Sequence, residues 1–192
     1  MALPKMAILA DLSSLPISCE GFKGVLADIE KEYDVTFVKF YSYVAKRNRD
    51  YNEFIAAKGY GAVTPISSKK RNKLDSRQII DATEIALFKG FDAVALMVGN
   101  GDILPIISYL KLRGLSVYEI GVNESEYTSS YSGFIKVPES ALREGYSAPV
   151  IKREAKAARP RPVKQAEPQK EAAAPKSSSY MDEVWKILNK NK

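Results

Sequence analysis

"FDAVALMVGNGDILPIISYLKLRG", residues 91–114, decides the fold. Positions 93–98 are apolar throughout, which reads as a strand buried on both faces. Gly99-Asn100-Gly101-Asp102 breaks the run. From Asp102 to Arg113 the pattern turns helical, with Pro105 in the first turn and Gly114 as the stop. A doubly buried strand feeding directly into a helix is the repeating unit of a parallel α/β sheet. Open sheets of that kind keep their ligands beyond the C-terminal ends of the strands, where Asp102 falls.

The neighbouring segments repeat the alternation. "MAILADL" (6–12) reads as the first strand, followed by a helix over about 20–32, and "VTFVKFYSYV" (35–44) reads as the second strand. "DYNEFIAAKG" (50–59) is a short helix ended by Gly59, and "AVTPIS" (62–67) a short third strand. A basic loop, "SKKRNK" (68–73), precedes a helix from Asp75 to about Lys89. After the helix at 102–113 come the strands "SVYEIG" (116–121) and "SGFIKVP" (132–138). The expected fold is α/β, a mostly parallel sheet with helices on both faces, followed by a flexible tail and a short C-terminal helix.

Composition removes several chemistries. The 192 residues include one Cys and no His. Internal disulfides, thiolate clusters, imidazole zinc sites and Ser-His or Cys-His nucleophile pairs are therefore excluded. The single Cys19 suits a reducing, cytoplasmic location. No apolar run approaches the roughly 20 residues of a membrane span, and Asp11 interrupts the N-terminal apolar stretch before any signal-peptide cleavage site. Hydrolytic chemistry would need carboxylates, with a hard oxygen-seeking cation such as Mg²⁺ or Mn²⁺.

The net charge of +6 is unevenly placed. Residues 1–150 hold 18 Lys or Arg against 18 Asp or Glu, whereas residues 151–176 hold eight against three. That basic stretch, rich in Pro, Ala, Lys, Glu and Gln, has too few apolar side chains to offset the entropy of ordering. The expected organisation is a domain over 1–140, a flexible basic linker over 141–178 and an amphipathic helix over 179–192. Met181, Val184, Trp185 and Leu188 share one face of that helix, and Ser179 with Asp182 makes a capping pair. The helix either docks on its own domain or offers Trp185 as an anchor to a protein partner's groove. A homodimer is compatible with the sequence.

Three acids arrive at strand ends or helix starts. Asp11 closes the first strand, Asp75 opens the central helix and Asp102 follows the fourth strand. If the first and fourth strands are neighbours, the three converge into an oxygen-rich cation site at one end of the sheet. Each also has a plain structural reading: Asp11 as strand punctuation, Asp75 as a helix N-cap, Asp102 as the cap of its helix. Asp81 lies six residues past Asp75, about 240° around a helix, and is read as a supporting or structural residue. Basic clusters at Lys46, Arg47 and Arg49 and at Lys69, Lys70, Arg71 and Lys73 fall on connections, where they could bind phosphates or simply be solvated. Tyr41, Tyr43, Tyr51 and Tyr60 could stack unpaired bases; Tyr41 and Tyr43, sharing a strand face with Phe37, could equally be core.

"AILADLSSL", "NKLDSRQIIDAT" and "FDAVALMVGNGDILPIISYLKLRGLSVYEIG" together resemble the NYN family, the LabA-like branch of the PIN-like nucleases, over roughly residues 5–138. The family pattern is a first strand ending Asp-x-x-Asn and a Lys-Gly-x-Asp segment opening a helix with a second Asp six residues on. A strand running into Ser-Gly-Asp-Ser-Asp-Phe-x-Pro completes it. Asp11, Asp75, Asp81 and Asp102 match its acidic positions. Ser14 stands where Asn is usual and would support Asp11. Asn72 and Lys73 replace Lys-Gly, and Gly101 replaces Ser. Asn100 replaces the first Asp of the turn, which the resemblance makes a metal ligand. Asn donates a neutral oxygen but no charge, so cation affinity should fall.

The resemblance implies a Mg²⁺- or Mn²⁺-dependent endoribonuclease acting on single-stranded RNA in processing or decay. Asp11, Asp75 and Asp102 would be catalytic, with Asp11, Asp102 and Asn100 on the metal. The alternative is a weakened NYN domain that binds RNA or protein and recruits a partner through its C-terminal helix.

Overall fold

The computed structural model describes residues 2–65, 74–88, 90–98 and 101–145. Of the linker expected over 141–178 only residues 141–145 are described; the rest of it, the helix expected over 179–192, the basic loop with Lys69, Lys70, Arg71 and Lys73, and Asn100 lie outside the described residues. Six parallel strands form one sheet in the order β3-β2-β1-β4-β5-β6. They are β1 Lys5–Asp11, β2 Asp34–Tyr41, β3 Gly61–Ala62, β4 Ala93–Met97, β5 Ser116–Gly121 and β6 Gly133–Lys136. The helices are α1 Cys19–Ile29, α2 Asn52–Lys58, α3 Ser76–Leu87 and α4 Leu104–Leu112. The expected parallel α/β architecture is present, and β1 and β4 are neighbours, paired from Met6↔Ala93 to Ala10↔Met97.

The sheet separates two apolar layers. Met6, Ile8 and Ala10 of β1 face a cluster built with α1, including Phe22, Val25 and Leu26. Ala7 and Leu9 face the other, built with Ala82 and Ile85 of α3 and Ile107 and Leu110 of α4. Strand alternation places Asp11 on the same side as Ala7 and Leu9, under α3 and α4. Central strands β1 and β4 carry helices on both faces, which is why their sequences hold almost no polar residue.

Local chemistry sets the helix ends. Ser18 caps α1 by accepting from the Gly21 N–H at 3.0 Å, and Gly59 ends α2 with φ 65°, a left-handed conformation glycine adopts without cost. Asp75 is the N-cap of α3. Asp102 does not cap α4: a 3₁₀ turn, Gly101–Ile103, intervenes, and the cap position belongs to Ile103, which offers no side-chain bond. The third strand is only two residues long, because Pro65 lacks the N–H a continuing ladder would need.

Two irregularities in β2 change what its side chains face. The register slips between Met6↔Val35 and Ala7↔Phe37, so Val35 packs toward α1 and Phe37 toward α3. Beyond the strand, Ser42 takes φ 56°, and Tyr43 swings to the α1 side while Tyr41 stays on the α3 side. Tyr41 and Tyr43 therefore do not share a face. At the far end, Leu142 bridges to Ile17, and the Ser18 N–H and hydroxyl both donate to the Ala141 carbonyl, at 2.9 and 3.0 Å. Packing of this domain thus extends through Arg143, whose N–H donates to the Pro16 carbonyl at 2.9 Å.

Candidate active site between β1 and β4

Chain progression reverses between β1 and β4: β2 and β3 are added on one side, β5 and β6 on the other. At such a reversal the connections diverge to opposite faces and leave a crevice beyond the strand ends. Asp11 is the last residue of β1 and lies beside Tyr41 on β2. Asp102 follows β4 at the same end, and α3, which runs antiparallel to the strands, presents its N-terminal residue Asp75 there. Lys46, Arg47 and Arg49 are exposed on the connection leaving β2, also at this end.

Asp11 is 7% exposed. Its Oδ1 accepts from both the N–H and the hydroxyl of Ser13, each at 2.8 Å. Among the described residues nothing bonds its Oδ2. Ser14, expected to support Asp11, contributes only its backbone N–H, to the Asp11 carbonyl at 3.1 Å. The supporting hydroxyl belongs to Ser13. The signal was present in the sequence: an Asp followed two residues later by a bonding N–H is an Asx turn.

Asp75 is 8% exposed and fully engaged. Its Oδ1 accepts from the Arg77 N–H and Nε, both at 3.0 Å, and its Oδ2 accepts from Arg77 Nη2 at 2.6 Å. Nη2 also donates to the Thr64 carbonyl at 2.5 Å. Burial pushes the Asp75 carboxyl up, but the Arg77 hydrogen bonds and charge outweigh it and hold the group below its ordinary value.

The second acid of α3 is also paired. Asp81 meets Lys39 Nζ at 2.7 Å and accepts from the Tyr41 hydroxyl. Tyr41 is fully buried. Burial and then the Asp81 hydrogen bond push its phenol far above the normal range, with Asp75 adding to the effect. Both α3 acids therefore act on the same tyrosine at the end of β2, although six residues separate them. Asp75 sits before the helix rather than on it, so the angle expected between two helical positions does not apply.

One further group went unrecognised in the sequence. Gln78, one turn past Asp75, is wholly buried, and neither its Oε1 nor its Nε2 has a hydrogen-bond partner among the described residues. Nothing in the pattern distinguished it from a helix-surface residue.

Of the tyrosines read as base-stacking candidates, Tyr41 and Tyr51 are fully buried and belong to the core. Tyr43 bonds Asn52 through its hydroxyl, and Tyr60 packs edge-on against Phe54. Asp102 is exposed and lies close enough to Tyr127 to help raise its phenol, after the larger effects of a Glu126 hydrogen bond and burial.

The donor set decides what cation could be held. Among the described residues no three acidic side chains stand together as ligands, so the expected convergence of Asp11, Asp75 and Asp102 is not found there. Asp75 does not fit a metal, because Arg77 takes both of its oxygens. Asp11 does fit, with one oxygen fixed by Ser13 and the other unclaimed among the described residues. A single Mg²⁺ or Mn²⁺ needs only one or two carboxylates when waters and substrate phosphates complete its shell. Asp102 follows β4 at the same end of the sheet.

The fold is a parallel α/β domain with an acidic strand end at its topological switch point. The chain is a member of the NYN domain family, which matches residues 5–138. A protein of unknown function from Vibrio parahaemolyticus has a similar fold. Its TM-score is 0.59 at 20% identity, covering 73% of this chain and 97% of that one. An oxidoreductase from Thermotoga maritima aligns with a TM-score of 0.34 at 16% identity, over 62% of this chain and 30% of that one. No curated protein matches. No helix among the described residues is long and apolar enough to cross a membrane.

Proposed function

We propose that this chain is a divalent-cation-dependent endoribonuclease that cuts single-stranded RNA in the crevice between β1 and β4. Asp11 carries the reading: a buried carboxylate held by Ser13, with one oxygen unclaimed among the described residues, at the end of a central strand. Asp11 and Asp102 would hold the cation, and Asn100 would add a neutral oxygen. A bound Mg²⁺ or Mn²⁺ supplies a polarised water for in-line attack and offsets charge on the phosphodiester. Lys46, Arg47 and Arg49 would bind flanking phosphates, fixing the strand's register without reading sequence. Arg77 and Lys39 neutralise the α3 acids, which keeps the crevice from repelling RNA.

The test is cleavage of generic single-stranded RNA by the full chain, with Mn²⁺ and with EDTA. Asp11→Asn and Asp102→Asn should each lower cleavage at least ~100-fold, the upper range seen even for groups one step removed from a metal. Asn100→Asp should raise cation affinity or activity. Turnover that survives EDTA and both Asp substitutions would end this reading.

The pairing of Asp75 and Asp81 favours a second reading, an RNA-binding domain with little catalytic power. Binding that is retained with EDTA and weakens steeply with salt, without cleavage in Mn²⁺, would select it.

A further inference from the structure

Asp75, the N-cap of α3, and Asp81, on the helix itself, are each matched by a fixed cation, and the closer match is at Asp75. Three donors from Arg77 saturate that carboxylate at 2.6–3.0 Å. The guanidinium is braced on its far side by the Thr64 carbonyl. Asp81 is treated the same way by Lys39 and Tyr41. We propose that Arg77 is a built-in cation of this site, closing a latent divalent-metal position at Asp75. The cation of the proposed nuclease site then has to be held without Asp75.

The chemistry favours the guanidinium over an ion. Its planar fork matches the carboxylate bidentately and is always charged. It is tethered two residues away, so it competes at a high local concentration. Mg²⁺ and Mn²⁺ would have to shed water to enter, and they would strand a guanidinium against a carboxylate that no longer accepts its bonds. Removing the Arg77 side chain leaves Asp75 buried and without its bonded counter-charge, the nearby Lys39 being engaged by Asp81. A hard divalent ion is the ligand such a group takes.

This inference deepens the nuclease reading but is tested by counting ions, which needs no RNA cleavage. Mn²⁺ bound to the full chain is measured by electron paramagnetic resonance for wild type, Asp75→Asn, Arg77→Met and Asp75→Asn/Arg77→Met. Circular dichroism confirms that each variant is folded. Arg77→Met should bind one more Mn²⁺ per chain than wild type, and the double variant should lose that gain. Asp75→Asn alone, which keeps a residue type suited to the N-cap, should leave the wild-type count unchanged. If Arg77→Met fails to fold, the Asp75→Asn measurement decides alone. A fall in Mn²⁺ count in Asp75→Asn would overturn the proposal, as would a folded Arg77→Met that binds no more than wild type. Should wild type bind no Mn²⁺ while Arg77→Met binds one, the nuclease reading fails and this inference stands.

Discussion

Asp11 and Tyr41 stand beside each other on the β1–β2 ladder, and the Tyr41 hydroxyl crosses from the sheet to Asp81 on α3. A buried phenol thus ties the helix to the floor of the crevice, next to the acid proposed to bind the cation. Helix α3 is held there by polar contacts as much as by Ala82 and Ile85.

Tyr41→Phe keeps the ring and removes the hydroxyl. Asp81 keeps Lys39 but loses a charge-assisted bond in a dry setting, which costs about 2 kcal/mol. For a protein of this size that is a Tm lower by roughly 4–8 °C, read by thermal denaturation. An unchanged Tm would show that Lys39 alone holds Asp81.

Asp75 gives a pH signature. Its folded pKa lies below the unfolded one, so its contribution to stability is full above the unfolded value and is lost as pH falls through the folded one. Arg77→Met removes the guanidinium, the strongest influence depressing the pKa, and leaves burial, which raises it, opposed by the backbone N–H of residue 77 and the charge of Lys39. Wild type should therefore exceed the variant in stability by about 1–2 kcal/mol at pH 7, the partial exposure of Arg77 reducing the value for a buried pair. The difference should shrink from about pH 5 downward, as measured by urea denaturation at several pH values. A gap that stays constant to pH 3 would contradict the pairing.

Gln78 buries an amide that bonds nothing among the described residues. Each buried polar group left without a partner costs about 1–3 kcal/mol, and an apolar side chain of similar shape avoids the cost. Gln78→Met should therefore raise the Tm by several degrees. A lower Tm would mean that an ordered water satisfies the amide in solution.

Gly21 packs where a side chain cannot. A Cβ there would lie 2.7 Å from Ala141 Cα, in the segment that returns over the start of α1. Gly21→Ala should destabilise by about 2 kcal/mol through overpacking, despite alanine's better helix propensity. Faster proteolysis near residues 139–145 would accompany it. An alanine variant as stable as wild type would show that this segment shifts freely.

Much of the framework was legible in the chain. The all-apolar stretches of β1 and β4 announced strands covered on both faces, and their spacing by helices announced a parallel sheet. Gly59 and Gly114 marked helix ends correctly, because the left-handed conformation is a local requirement. Asp11 could be placed at a strand end for the same reason. A charged residue closing a run that is otherwise apolar must sit where the strand leaves the core.

Less legible were facts that depend on two distant segments meeting. Asp81 lies 40 residues from Tyr41 and 42 from Lys39, so no spacing rule connects them. The slip in β2 and the left-handed Ser42 each turn side chains to the opposite face, and period-two reasoning cannot foresee either. The Asp75–Arg77 pair is local, yet helix capping alone would have left the carboxylate open to a metal.

The sequence by itself determined the kinds of element, their parallel arrangement and the exclusion of imidazole chemistry. Those follow from hydrophobic period, helix-stop residues and the absence of His, all properties of single residues and their near neighbours. Only the tertiary structure decided which carboxylates remain open. That depends on where Arg77, Lys39 and Tyr41 come to rest, and a carboxylate's capacity to bind a metal is set by the groups that already occupy its oxygens.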